Sequence, residues 1–139
     1  MQKIIRIIHA DDHELVRYSV KSLINKQAPH IQFVGEAASY PELLAVLIKT
    51  EFDLFLLDGE IIGGSTSEYL PKIRELYPNM KIILLWIFAD ADSLTKWIHL
   101  LDGHLNLGAN SEGIIYAIDS VMRSERYFTM PVFHKHRNL

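Results

Sequence analysis

The sequence predicts an α/β domain built on a doubly wound parallel sheet with five strands and five helices. Two observations carry this prediction. Short apolar runs alternate with amphipathic segments along the whole chain, and the turns that join them are short. Acidic residues also stand directly after the first and third apolar runs. Such alternation forms βα units with right-handed crossovers, so we expect helices on both faces of the sheet.

The first three elements are a strand, a helix and a second strand. Ile4 to Ile8 is a short run rich in β-branched residues, typical of a strand buried on both faces. Apolar residues recur at helical spacing from His13 to Lys26, and Asp12 is the expected N-cap of that helix. Ile31 to Ala37 is the expected second strand.

The middle of the chain continues the alternation. Glu42 to Thr50 is a predicted helix, and Asp53 to Leu57 is a third strand that ends at Asp58. A glycine-containing loop then leads into a third helix from Glu68 to Tyr77. Lys81 to Phe88 is the predicted fourth strand.

The last third of the chain supplies two more helices and the fifth strand. The fourth helix is predicted from an apolar stripe formed by Leu94, Trp97, Ile98 and Leu101. His104 to Leu107 is the predicted fifth strand, and an apolar stripe from Ile114 to Val121 marks the last helix. We therefore expect one domain over residues 1–123. Residues 124–139, which are basic and lose the pattern, are expected to be a tail or the start of a linker to an output domain.

Composition excludes several classes of function. Cysteine is absent, so a disulfide framework, a cysteine nucleophile and a Cys-ligated metal centre are excluded. The formal net charge of −3 gives no positive field for nucleic-acid binding. With no signal peptide or membrane-spanning run in these 139 residues, we expect a cytoplasmic domain that contacts neither membrane nor nucleic acid.

Three carboxylates are predicted to meet at one edge of the sheet. Asp11 and Asp12 follow strand one, and Asp58 follows strand three. Those strands are neighbours in the flavodoxin-like order 2-1-3-4-5, where ligands bind at the carboxyl ends of the strands. Because like charges at close range disfavour each other, a divalent cation with oxygen ligands is the expected partner, and Mg²⁺ suits a shallow, hydrated site.

The sequence resembles the receiver (CheY-like) domain of bacterial response regulators, in the LuxR/FixJ (NarL-type) branch. The resemblance covers residues 3–130. It is carried by the segments 7–17 (IIHADDHELVR), 33–37 (FVGEA), 52–58 (FDLFLLD), 76–83 (LYPNMKII) and 125–128 (ERYF).

The resemblance implies two-component signal transduction without enzymatic turnover. Carried over by position, Asp58 is the phosphoacceptor for a sensor histidine kinase or a phosphotransfer protein. Asp12 is implied to bind Mg²⁺ directly, Asp11 through water, and Glu60 through its backbone carbonyl. The resemblance is also compatible with a homodimer and with a DNA-binding output domain that follows in a longer protein.

Three positions depart from the family pattern. Trp86 stands where the family has the switch Ser or Thr, and Leu107 stands where it has the conserved Lys. His104 stands at the aromatic switch position. An indole has no hydroxyl and a leucine has no charge, so two of the usual phosphoryl contacts are missing and phosphorylation is expected to be weak or absent.

Two alternatives remain open on the sequence. The first is a pseudo-receiver, a protein-interaction module that works without phosphorylation. The second, more remote, is a Mg²⁺-dependent phosphatase or phosphotransferase, for which no general acid/base and no substrate-covering insertion is evident.

Overall fold

Six parallel strands form one sheet in the order β2-β1-β3-β4-β5-β6. This computed structural model describes residues 3–58, 66–85, 95–105 and 111–129. The strands are β1 (Ile5–Ala10), β2 (Ile31–Ala37), β3 (Leu54–Asp58), β4 (Lys81–Leu85), β5 (Gly103–Leu105) and β6 (Tyr127–Phe128). The parallel α/β class and the order of the first five strands are as predicted. The predicted strand count of five is wrong, because a sixth strand extends the sheet.

Helices cover both faces of this sheet. They are α1 (Glu14–Gln27), α2 (Tyr40–Lys49), α3 (Thr66–Leu76), α4, described over residues 95–97 before a 3₁₀ turn at Ile98–Leu100, and α5 (Ser111–Met122). Among the described residues, no helix has the length and apolar character needed to cross a membrane.

Helix α2 has a start signal that is visible in the sequence. The Ser39 hydroxyl accepts a hydrogen bond from the backbone N–H of Glu42 (3.3 Å), and the Glu42 carboxylate accepts one from the backbone N–H of Ala38 (2.6 Å). This variant of the capping box satisfies the N–H of Glu42 in the first turn and the N–H of Ala38 just before the N-cap. It fixes the start of α2 two residues before the predicted one.

The buried apolar residues form two clusters, one on each face of the sheet. On one face α1 and α5 pack through Val20, Ile24, Ile114, Ala117, Ile118 and Val121. On the other face α2, α3, the end of α4 and the chain after it pack through Tyr40, Leu43, Leu47, Leu70, Ile73, Trp97 and Leu101. Strands β1, β3 and β4 between them are buried on both sides, which explains their nearly continuous apolar sequences.

Strand β6 closes the edge of the sheet beside β5. Tyr127 donates its backbone N–H to the carbonyl of Asp102 (3.2 Å), and Thr129 donates to the carbonyl of His104 (3.1 Å). Phe128 packs on the α2/α3 face and Tyr127 on the α1/α5 face. A two-residue strand has no period to read, so the sequence pattern did not reveal it.

A methyl group at Gly103 is expected to push β6 away from the sheet. A Cβ at this position would lie 2.9 Å from the carbonyl oxygen of Tyr127 and 3.2 Å from Val121 Cγ2. We expect Gly103→Ala to lower the free energy of unfolding by about 1–3 kcal/mol. Urea unfolding measures this loss, and faster hydrogen exchange at the Thr129 amide would locate it at β6. An unchanged Thr129 amide would contradict the expectation.

Candidate functional site

The carboxyl ends of β1 and β3 bring three carboxylates together. Ala10 pairs with Leu57, so the residues that follow, Asp11 and Asp58, lie side by side. The side chain of Asp11 is fully buried, and Asp58 is 5% exposed. This is the arrangement predicted from the strand order, because parallel strands end at the same edge of the sheet.

The backbone of Asp11 is held from both sides. Its N–H donates to the carbonyl of Ala37 at the end of β2 (2.9 Å), and its own carbonyl accepts from the Arg17 guanidinium. The Arg17 Nε atom also lies 3.4 Å from Glu36 Oε1. Helix α1 and strand β2 therefore fix the position of this carboxylate.

His13 joins the three carboxylates. Helix α1 starts at Glu14 with His13 as its N-cap, so the prediction of Asp12 as N-cap is wrong. The Asp11 carboxylate accepts the backbone N–H of His13 (2.8 Å), a local turn that holds His13 in an extended conformation just before the helix. The imidazole Nδ1 lies 3.2 Å from Asp11 Oδ1 and 2.8 Å from Asp12 Oδ1.

Burial and ion pairing shift the pKa values in this cluster. Burial raises the pKa of the Asp11 carboxyl, and the hydrogen bonds from His13 oppose that shift. The hydrogen bond to Asp11 and the charge of Asp12 raise the pKa of the His13 imidazole. The cluster therefore favours a positive charge among its carboxylates.

A divalent cation fits these residues. One ligand atom from each of Asp11, Asp12, His13 and Asp58 lies within 4.8 Å of the others. Asp11 Oδ2 is buried and has no hydrogen-bond partner among the described residues. A buried carboxylate oxygen with no donor is a group that a hard cation satisfies.

Of the three positions that depart from the family pattern, the structure describes only His104. His104 is in the middle of β5 and is 2% exposed. Its Nδ1 lies 3.3 Å from the Thr129 hydroxyl, which connects it to the chain after β6. Trp86, Leu107 and Glu60 lie outside the described residues.

Strands β4 and β5 are in register with β3 at its carboxyl end. Leu85, the last residue of β4, pairs with Asp58 on one side and with Leu105 on the other. The described ends of β4 and β5 therefore lie at the same edge of the sheet as Asp58, as strand ends do in parallel sheets.

His9 is a buried polar residue that the sequence analysis did not single out. It lies in β1, is fully buried, and has its ring 6.2 Å from that of Phe33. Neither ring nitrogen has a hydrogen-bond partner within the described chain. Burial, with a smaller contribution from the charge of Arg17, lowers the pKa of His9 to about 4, so it is neutral at pH 7.

His13 was not predicted as a site residue either, although it directly follows the acidic pair at a strand end. That adjacency was a usable signal, because the first residues after a strand share its ligand-binding edge.

Comparisons with known proteins agree on one family. The family described as "Response regulator receiver domain" matches residues 7–101, more than half of the chain. The response regulator protein VraR of Staphylococcus aureus is 27% identical over 135 residues. That alignment covers 96% of this chain and 64% of VraR, so the chain spans less than two thirds of this curated relative.

Solved structures share the fold. The isolated REC domain of RcsB from Salmonella enterica serovar Typhimurium, with the phosphomimetic BeF3-, has a TM-score of 0.86 and 19% identity, covering 95% of this chain and 98% of that one. A LuxR-family two-component response regulator from an Aurantimonas species has a TM-score of 0.87 and 20% identity, covering 99% of this chain and all of that one.

Proposed function

Since the chain belongs to the response regulator receiver domain family, we propose that Asp58 accepts a phosphoryl group from a sensor histidine kinase or a phosphotransfer protein. Receiver domains are regulators of two-component systems, not turnover enzymes. The single observation that supports the proposal is the convergence of Asp11, Asp12 and Asp58 at the carboxyl ends of β1 and β3.

The chemistry proposed at Asp58 is one displacement at phosphorus. A carboxylate oxygen of Asp58 forms the new P–O bond while the donor's P–N bond breaks, and the donor imidazole leaves with the electron pair of that bond. The buried position of Asp58 at the strand end limits access by water, which favours a lifetime long enough for signalling.

Mg²⁺ is the proposed cofactor, held by the carboxylates of Asp11, Asp12 and Asp58 with the backbone carbonyl of Glu60. Bound there, it would offset the negative charge of the incoming phosphoryl group. The unpartnered Oδ2 of Asp11 and the oxygen-rich donor set support this assignment. Arg17 and Ala37 keep the Asp11 backbone in place for it.

The substitutions at the switch positions favour a second candidate, the phosphorylation-independent interaction module. Trp86 and Leu107 cannot supply the hydroxyl and the ammonium of the family pattern. Each charge-assisted hydrogen bond to a phosphoryl group contributes about 1.5–3 kcal/mol. A phosphorylated state without both would be held less tightly, and its differential signal would be weaker.

If Asp58 is the phosphoacceptor, Mg²⁺ with acetyl phosphate should add one phosphoryl group to a minor fraction of the wild-type chain, and none to Asp58→Asn. The amide lacks the nucleophilic carboxylate oxygen. Intact-mass spectrometry measures the adduct, and amide NMR with beryllofluoride measures how far the change spreads. Glu51→Gln is the matched control, because this exposed carboxylate precedes β3 at the opposite end of the sheet.

The outcomes separate the candidates. Shifts at residues 11, 12 and 58 that extend to β4 and β5 support a phosphorylated receiver whose signal spreads. An absent adduct, with Mg²⁺ also leaving those resonances unmoved, contradicts the phosphoacceptor role and leaves the interaction module. Continuous phosphate release above that of Asp58→Asn would instead indicate the phosphatase alternative.

The partners follow from the proposed role. Leu15 and Tyr18 at the start of α1 are 79% and 69% exposed, and they lie a few residues beyond Asp12. Exposed apolar side chains beside the acidic site support a kinase or phosphotransfer protein that docks there. A homodimer and a DNA-binding output domain in a longer chain remain part of the proposal. RcsB, whose receiver domain shares this fold, has been solved as two dimers bound to two parallel DNAs.

A further inference from the structure

The geometry points to His13 as an additional metal ligand that gives this acidic site a preference for imidazole-binding transition metals over Mg²⁺. The inference deepens the proposed function, because it rests on the same cation site at Asp11, Asp12 and Asp58. It differs from that proposal in the ligand set and in the class of metal.

The distances around His13 match those between neighbouring ligands of one metal ion. Metal–ligand bonds of about 2.1 Å at right angles place adjacent ligand atoms about 3 Å apart. His13 Nδ1 lies 3.2 Å from Asp11 Oδ1 and 2.8 Å from Asp12 Oδ1. The imidazole nitrogen therefore already lies at a ligand position relative to two carboxylates.

A second observation indicates that the cluster is built for a cation. Asp11 is fully buried, and its Oδ2 has no hydrogen-bond donor among the residues that the structure describes. The His13 N–H groups satisfy only Oδ1 of that carboxylate. Leaving a buried carboxylate oxygen without a donor costs free energy, and a bound cation removes that cost.

The donor chemistry decides the metal. Carboxylate and carbonyl oxygens suit Mg²⁺ and Mn²⁺, whereas imidazole nitrogen suits Zn²⁺, Co²⁺ and Ni²⁺. Three carboxylates and one imidazole form a mixed set that binds borderline transition metals more tightly than Mg²⁺. Towards Mg²⁺, the His13 imidazole contributes no favoured ligand, and its N–H competes with the ion for the same oxygens.

His13 is positioned for this role by the backbone. It is the N-cap residue of α1, and its N–H is tied to the Asp11 carboxylate. Its side chain is 67% exposed, so the ring can move to a metal without breaking core packing. The ligand and the residue that orients it are thus in one short segment after β1.

The test compares metals on the wild-type chain and on His13→Ala by calorimetric titration with MgCl₂, CoCl₂ and ZnCl₂. We expect the variant to bind Co²⁺ and Zn²⁺ at least about tenfold more weakly. Mg²⁺ affinity should stay unchanged or rise, because a competing donor is removed. His99→Ala is the control, since His99 is an exposed histidine that lies outside the cluster.

A direct readout distinguishes ligation from an indirect effect. In ¹⁵N NMR of the imidazole, Zn²⁺ should shift Nδ1 of His13 much more than Mg²⁺ does. The inference would be overturned if His13→Ala lost affinity for Mg²⁺ and Co²⁺ equally. It would also be overturned if Zn²⁺ left the Nδ1 resonance of His13 unmoved. If Mg²⁺ alone binds and shifts Asp11 and Asp58, the inference fails while the proposed function stands. If no metal binds the wild type, both fail.

Discussion

Replacing Arg74 by alanine is expected to lower the free energy of unfolding by about 3 kcal/mol. The guanidinium of Arg74, at the end of α3, is 19% exposed and forms an ion pair with Asp102 (2.8 Å). It also donates to backbone carbonyls before β4 and β5, those of Leu100 (2.9 and 3.0 Å), Met80 (2.6 Å), Pro78 (3.2 Å) and Tyr77 (3.4 Å).

The loss is large because the substitution removes one partner of a largely buried ion pair and the donor that several backbone carbonyls share. Asp102 also accepts the backbone N–H of Ile82, the second residue of β4. Removing one partner of a largely buried pair costs about 3–5 kcal/mol, and the partial exposure of Arg74 places the estimate at the lower end. Urea or guanidinium unfolding of both proteins measures the difference.

Two variants serve as controls for Arg74→Ala. Lys72→Ala on the same helix removes an exposed pair with Glu68 (3.8 Å), and a loss below about 0.5 kcal/mol is expected. Arg74→Lys keeps the charge but not the planar set of donors, so its loss should fall between the two. If Arg74→Ala were no more costly than Lys72→Ala, the side chain would not hold these elements together.

The apolar pattern of the sequence predicted most of the fold, because the central strands β1, β3 and β4 are buried on both faces. Continuous apolar runs marked β1, β3 and β4, and helical spacing marked the helices between them. It was harder to predict which residues of α3 face the core. Leu76, the last residue of α3, is 65% exposed, whereas Leu70 is fully buried. The helix starts at Thr66, and its buried stripe runs through Leu70 and Ile73.

The acidic cluster was predictable for a topological reason, and its surroundings were not. Strand ends meet at one edge, so the placement of Asp11, Asp12 and Asp58 follows from the strand order. The acceptors of Arg74 are mostly backbone carbonyls, and the carbonyl of Leu100 is 26 residues away in sequence. Carbonyls are present at every residue and carry no sequence signal, so such a contact is visible only in three dimensions.

His9 illustrates a different limit, because a polar residue in a buried strand gives no sign of whether it finds a partner. Both of its ring nitrogens are buried without a hydrogen bond in the described part of the chain. Burial lowers its pKa to about 4 in the folded state, against about 6.5 in an unfolded chain. Between these two pKa values, His9 is therefore neutral in the folded protein and protonated in the unfolded chain.

Acidification is consequently expected to destabilise the fold through His9. Above about pH 7.5 the imidazole is neutral in both states and contributes no pH dependence. Between pH 6.5 and pH 4 the unfolded chain binds the proton first, so stability falls as the pH falls. A shift from 6.5 to about 4 corresponds to about 3 kcal/mol lost over that window.

His9→Leu isolates this contribution from the other titrating groups. The variant removes the ionisable ring and the two unpaired nitrogens, so it should be at least as stable as the wild type at pH 7. Carboxylates such as Asp11, whose pKa burial raises, titrate in both proteins and cancel in the difference. Urea unfolding from pH 7.5 to pH 4 should show the gap between the proteins widening by about 3 kcal/mol. Parallel pH profiles would contradict the expectation, because they would mean that His9 is protonated equally easily in both states.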